Sequence, residues 1–279
     1  MSADPHFKRI IDLVCGALSP PPGRGRIALA LLFGVTVHVV FALAVLSMIS
    51  AMFFGLSESL GDVSWPYALI TNAFLILQFP LVHSFLLTGL GASWLAKVLP
   101  GRHGRTLSTT TYAIIASTQL LALFALWTPS GIVWWRADGW AFYSITSAYA
   151  LSWLLLLKAS WDAGAEVQSG ALGWMSLMKN AKPKFPDMPT TGLFRFIRQP
   201  IYVAFALTLW TVPVWTPDQL FLAVTLTLYC LAAPKLKERR FAARYGRRFE
   251  DYKRKVPYAL PSLSKASKAP DRIGEDAKA

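Results

Sequence analysis

A handful of side chains in the last third of the chain could do chemistry together. Arg198 or Arg239 could clamp a carboxylate with two parallel N–H donors. Glu238 could accept hydrogen bonds from hydroxyl or amino hydrogens. Tyr202 and Tyr245 offer flat faces to an apolar ring, and cation–π contact to a positive centre. Gln199 can donate and accept, but it carries neither a titratable proton nor a charge. His83 stands far upstream inside an apolar segment, where polar groups are often functional.

Each of these also has a plainer reading. Arg198-Gln199-Pro200 reads as a basic interface anchor followed by a helix start, because proline suits the first turn. Phe241, Tyr245, Phe249 and Tyr252 recur at helical spacing with Arg and Lys around the other sides. That pattern suits an amphipathic helix on anionic lipid, and the same helix could still cap a pocket. His83, and more so His38, could be a helix–helix hydrogen bond. Gly89-Leu90-Gly91 follows no strand, so close helix packing explains it better than a dinucleotide site. Cys15 and Cys230 form no paired spacing, and neither a disulfide framework nor a metal site is expected.

The elements that must position these residues are membrane helices. Of 279 residues, 54% are apolar and 15% are charged, which places the chain among membrane proteins. About 20 apolar residues cross the hydrocarbon core. Candidate spans cover 27–57, 65–95 with Pro80 as a kink, 107–127 and 139–157. Two shorter segments, 201–214 and 219–233, form a hairpin around Trp215-Thr216-Pro217-Asp218. Trp134, Trp135 and Trp140 mark an interfacial aromatic belt. The first apolar run is too long for a cleavable signal peptide and reads as a retained span.

The net charge of +13 is placed unevenly. With six crossings, every Lys and Arg except Arg136 falls on one side, as the positive-inside rule requires. Both termini are then cytoplasmic, and the C-terminal charge answers to anionic lipid rather than nucleic acid. No internal repeat is visible and the spans carry no charge, which disfavours a transporter.

From Arg198 onward the sequence resembles the integral membrane methyltransferases typified by isoprenylcysteine carboxyl methyltransferase. Arg198-Gln199-Pro200-Ile201-Tyr202 stands at the start of the hairpin. Lys237-Glu238-Arg239, Tyr245-Gly246, Tyr252 and Val256-Pro257 follow it in the family's order. Upstream, the run from Phe79 through Pro80 and His83 to Ser84, and the span ending Leu126-Trp127, are similar to the bacterial branch containing methanethiol S-methyltransferase. That branch is also similar to a membrane family linked to denitrification. Two positions depart from the pattern: Gln199 replaces a histidine and Lys237 replaces the first of two acidic residues.

The resemblance implies an S-adenosyl-L-methionine pocket built from Arg198, Gln199, Tyr202, Glu238, Arg239 and Tyr245, with His83 facing substrate. The residue chemistry set out above is compatible with that cofactor. The expected fold is an all-α integral membrane protein of about six helices, the last two a short hairpin, followed by a cytoplasmic amphipathic basic helix. The expected divisions are a tail at 1–26, a four-span scaffold at 27–160, a cofactor-binding part at 161–261 and a disordered tail at 262–279. The expected activity is methyl transfer to a small thiol such as methanethiol at a bacterial inner membrane. Two alternatives stand beside it. One is O-methylation of a lipophilic, isoprenylcysteine-like carboxylate. The other is a non-enzymatic accessory protein of the denitrification-linked type, which Gln199 and Lys237 favour.

Overall fold

Unbroken runs of Leu, Val, Ala and Phe leave no polar side chain to compete with the backbone, so in a membrane they close their hydrogen bonds within a helix. The computed structural model describes residues 5–98 and 101–261; the expected disordered tail at 262–279 lies outside the described residues. In chain order it has α1 (Pro5–Leu18), α2 (Arg24–Phe53), α3 (Tyr67–Leu86), α4 (Gly89–Lys97) and α5 (Arg102–Ala125). After β1 (Trp135–Arg136) come α6 (Gly139–Gln168), α7 (Ala171–Met178) and a 3-10 turn at Gly192–Arg195. The chain closes with α8 (Pro200–Trp210), β2 (Val214–Trp215), α9 (Pro217–Tyr245) and α10 (Arg247–Lys255).

Among the described residues, α2, α3, α5, α6 and α9 are long and apolar enough to cross a bilayer, and the chain is an integral membrane protein. The remaining apolar segment, α8, has 11 residues. At 1.5 Å per residue it reaches roughly 16 Å, about half the hydrocarbon core.

Several boundaries differ from the sequence expectation. The second span breaks after Leu86, where the Thr88 side chain caps α4 by accepting from Gly91 N. Pro80 stays inside α3. The glycine pair opens a second helix rather than packing two spans: a Cβ on Gly91 would lie 2.3 Å from Phe85 O, whereas Gly89 faces open space. The second arm of the hairpin does not end near residue 233 but continues as α9 to Tyr245, with Pro234 inside it. The expected basic helix is therefore two pieces, the end of α9 and α10. They meet at Gly246, whose φ of 50° ends the run at a backbone conformation glycine adopts readily.

The core forms where α2, α3, α5, α6, α8 and α9 converge around Met52, Leu56, Ile76, Phe124, Trp127 and Leu226. Some polar side chains pair across these helices. Gln78 and Gln119 exchange amide hydrogen bonds between α3 and α5. His38 accepts from Trp174 Nε1 at 3.1 Å, which is the plain helix-packing role expected of it.

One end of the bundle is sealed by a short ribbon, with Trp135 opposite Trp215 and Arg136 opposite Val214. Beside it, buried Asp218 accepts from Trp127 Nε1 at 3.1 Å and from Ser130 N at 2.9 Å. Thr216 caps α9 by accepting from Gln219 N. These contacts fix where α9 starts. Asp218→Ala is expected to cost ~3 kcal/mol by stranding buried donors. Ser130→Ala keeps the carboxylate and should cost only ~1 kcal/mol. Denaturant-induced unfolding of the two variants in detergent checks this ordering.

Candidate functional site

The site forms where the start of α8, the basic end of α9 and the chain's last described segment meet. Asp162 on α6 accepts from Leu193 N at 2.8 Å and so holds the 3-10 turn. Gly192 sits against that carboxylate with φ 58°, where a Cβ would clash with Asp162 Oδ2 at 2.2 Å. The turn delivers Phe194 inward, 1% exposed. Six residues later Pro200 starts α8, as the sequence led one to expect.

Arg198 is the hub. Its Nε donates to Glu238 Oε1 at 2.8 Å, and its Nη2 lies 3.5 Å from Oε2. Its Nη1 donates to Val256 O at 2.6 Å and Lys253 O at 3.1 Å. The backbone joins in: Arg198 N donates to Pro257 O and Gln199 N to Tyr258 O. The segment after α10 is thereby tied to the start of α8. The spaced Val256-Pro257 of the sequence serves this seam.

Gln199 is 3% exposed, and its Nε2 donates to Glu238 Oε1 at 2.9 Å. A neutral amide thus fills one hydrogen bond on the same carboxylate. Lys237, one of the two departures from the family pattern, lies across the site. Its ammonium sits 5.3 Å from the Phe194 ring centroid and 5.4 Å from that of Phe241, and 3.5 Å from Gln199 Oε1. Two aromatic faces flanking a cation form a cation–π cage. The remaining wall comes from α10. Phe249 is buried against Phe241, and Tyr252 donates to Phe194 O at 2.6 Å. Burial pushes the Tyr252 phenol above its ordinary range, so it stays a neutral donor. The aromatic face read from the sequence as lipid-directed therefore turns inward at Phe249.

The cavity enclosed by Phe194, Gln199, Lys237, Glu238 and Phe241 measures about 10 Å³, room for roughly one water. The arrangement is closed.

A second polar cluster lies along the other side of α9. The Tyr112 hydroxyl is 2.8 Å from His83 Nε2. His83 stacks near Phe79, Phe79 meets Tyr229, and Tyr229 lies 3.5 Å from Ser84 Oγ. Arg240 holds the end of α3 by donating to Leu87 O at 3.2 Å. Tyr202 is within electrostatic reach of Tyr229, Arg240 and Tyr258, and Tyr258 in turn stacks under Arg198.

The structure thus brings Arg198, Gln199 and Glu238 into one cluster and puts Tyr202 with His83 in the other. Tyr245 stands at the rim, with its ring against Phe241 and beneath Arg244 and Arg248. Arg239 is exposed on α9, with no hydrogen bond or ion pair to either cluster. Tyr112, Tyr229 and Tyr258 were not singled out from sequence. Tyrosines within or beside apolar spans are the signal that could have found the first two.

A helical membrane protein with a buried Arg–Glu–Gln cluster at one membrane face is the class that fold and site define. Compared with known proteins, the chain is similar to several methanethiol S-methyltransferases. It is 28% identical to that of Pseudomonas deceptionensis over 72% of this chain and 75% of the relative. It is 28% identical to that of Crocosphaera subtropica over 85% and 93%. It is 27% identical to methanethiol S-methyltransferase 2 of Bradyrhizobium diazoefficiens over 74% and 78%. The resemblance seen in the motifs therefore extends over most of the chain. No family model and no solved structure matches.

Removing the hub should detach the chain's end. Arg198→Ala is expected to cost ~3 kcal/mol, because Glu238 loses its buried partner. Limited trypsin digestion in detergent should then cut faster at Lys253 to Lys255. Arg239→Ala should leave that rate unchanged.

Proposed function

We propose that this protein is a membrane-embedded, S-adenosylmethionine-dependent methyltransferase acting on a small thiol, with methanethiol the first choice. The observation that carries this reading is the similarity to methanethiol S-methyltransferases over most of the chain. We place both termini, and the site with them, at the cytoplasmic face, which corresponds to six crossings with α8 as the short fifth. Residues 161–261 then form the cofactor-binding part and 27–160 the scaffold.

The residues present fit such a cofactor chemically. Glu238 Oε2, with only a long contact to Arg198, can accept from a hydroxyl or amino group. Arg198 can turn part of its fork to a carboxylate, and Phe194 and Phe241 present two faces suited to a cation. S-adenosylmethionine, when bound, supplies an electrophilic methyl group on a positively charged sulfur. Ligand sites commonly measure hundreds of Å³, so Lys237 and Phe241 must part to admit it. On the other side of α9, His83 and Tyr112 form a hydrogen-bonded pair that could seat a thiol. When bound, the cofactor would supply the methyl group, Arg198, Glu238 and the faces of Phe194 and Phe241 would hold it, and a thiolate meeting its sulfonium would cancel two opposite charges. A water-poor site favours that change.

One observation favours a second reading. The Lys237 ammonium already occupies the aromatic cage, as it would in a site retired from catalysis and kept as a membrane accessory protein. Calorimetric titration of detergent-purified protein separates the two. The enzyme reading expects micromolar binding of S-adenosylmethionine, weakened at least roughly tenfold in Glu238→Gln, and dimethyl sulfide formed from methanethiol. Folded protein that binds neither S-adenosylmethionine nor S-adenosylhomocysteine would sink it.

Lys237 yields a separate prediction. Its ammonium competes with a sulfonium but not with the neutral thioether of S-adenosylhomocysteine. Lys237→Gln should therefore tighten S-adenosylmethionine binding by roughly tenfold relative to S-adenosylhomocysteine. An unchanged ratio would mean that the lysine and the sulfonium do not share the cage.

A further inference from the structure

At the same basic face, but away from this site, a cavity of about 170 Å³ lies between α1, the end of α6, α7 and the loop that follows. Glu166 forms its floor, with a side chain 4% exposed. One carboxylate oxygen, Oε1, accepts from Arg9 Nε at 3.0 Å and Nη2 at 2.6 Å. The other, Oε2, is buried and has no hydrogen-bond partner. A buried acceptor left so is unfavourable, and it points to a donor that the described residues do not supply.

The rest of the lining indicates what carries that donor. Arg9 and Glu166 balance each other. Among the described lining residues, the one carboxylate left beside Lys179, Lys182 and Lys184 is that of Asp12, and Lys179 Nζ donates to the Asp12 carbonyl rather than to that carboxylate. The cavity is thus net positive around an unfilled acceptor. One water needs about 10–15 Å³ of such space, so there is room for a phosphate with a short polar head.

Its level in the membrane favours a lipid as the source. Phe7, Ile11 and Leu18 are exposed along α1. Arg26, at the start of the first span, donates to Leu177 O on α7. This places the cavity at the head-group layer, with apolar surface beside it for acyl chains.

We infer that this cavity is a binding site for an anionic phospholipid whose head group carries a hydroxyl. The phosphate faces Lys179, Lys182 and Lys184, and the hydroxyl donates to Glu166 Oε2. Phosphatidylglycerol has this chemistry. Phosphatidylethanolamine has the donor without the net charge, and phosphatidylcholine has neither.

The test is native mass spectrometry of the full chain released from nanodiscs holding the three lipids in equal amounts. Retention of one phosphatidylglycerol, with phosphatidylethanolamine weaker and phosphatidylcholine weakest, is expected. Lys182→Gln combined with Lys184→Gln changes only exposed residues and should cut that retention by roughly 30-fold. Glu166→Gln should narrow the margin over phosphatidylcholine. Equal retention of the three lipids, or retention that survives the double lysine substitution, overturns the site. Displacement of the lipid by millimolar sn-glycerol 3-phosphate would instead assign the cavity to a soluble phosphate ester.

Discussion

The ion pair between Arg198 and Glu238 is the constraint on which the functional end of the molecule rests. Both side chains are largely withdrawn from water, and desolvating two charges is costly unless the remaining donors and acceptors are filled. Here they are filled by Gln199 and by the carbonyls of Lys253 and Val256. The pair and its partners come from three separate stretches of the chain. The pair can only form when the start of α8, the end of α9 and the segment after α10 are together. Satisfying two buried charges therefore dictates the closure of the whole C-terminal region.

Helix α9 is the wall shared by both polar clusters. Lys237 and Phe241 are four residues apart and so lie on one face, where they meet Phe194. Tyr229 and Arg240 are eleven apart, three turns on, and meet α3. A helix of 29 residues carries the two groups at fixed separation, because its far end is held by Asp218, Thr216 and the short β ribbon. The rigid end sits where few charges are found. The basic end carries the caged lysine and the closed cavity, which is where a ligand-gated rearrangement would act. The cation–π cage is well suited to that, since each contact is worth only a kcal/mol or so and can be exchanged for another cation.

The acidic and basic residues outside this hub follow the same logic of paired burial. Glu166 is matched by Arg9 across 157 positions of sequence, and that bond ties α1 to the end of α6. What distinguishes Glu166 is its second oxygen, left without a donor where every oxygen and nitrogen on Asp218 and Arg198 has a use.

Much of this could be read from the residues alone. Long uncharged runs specify membrane helices because backbone groups have no other partner in lipid. Pro200 marks a helix start because proline lacks the N–H that a first turn leaves idle. The order Arg198, Glu238, Tyr252, Val256-Pro257 announced a shared site. What sequence could not decide was which of several equivalent-looking residues enters it. Arg198 and Arg239 read alike, yet only one of them faces Glu238 across the hairpin. Phe249 and Tyr252 fitted a lipid-facing stripe, yet the break at Gly246 turns Phe249 and the wall it forms with Tyr252 inward. Lys237 read as a missing acid, and only the packing of Phe194 against α9 gave its ammonium two aromatic faces. Each outcome depends on the rotation of a helix about its axis and on contacts between distant segments. Local sequence pattern sets helix identity and length. Rotation and pairing are set by which buried polar groups find partners, and that is settled only in three dimensions.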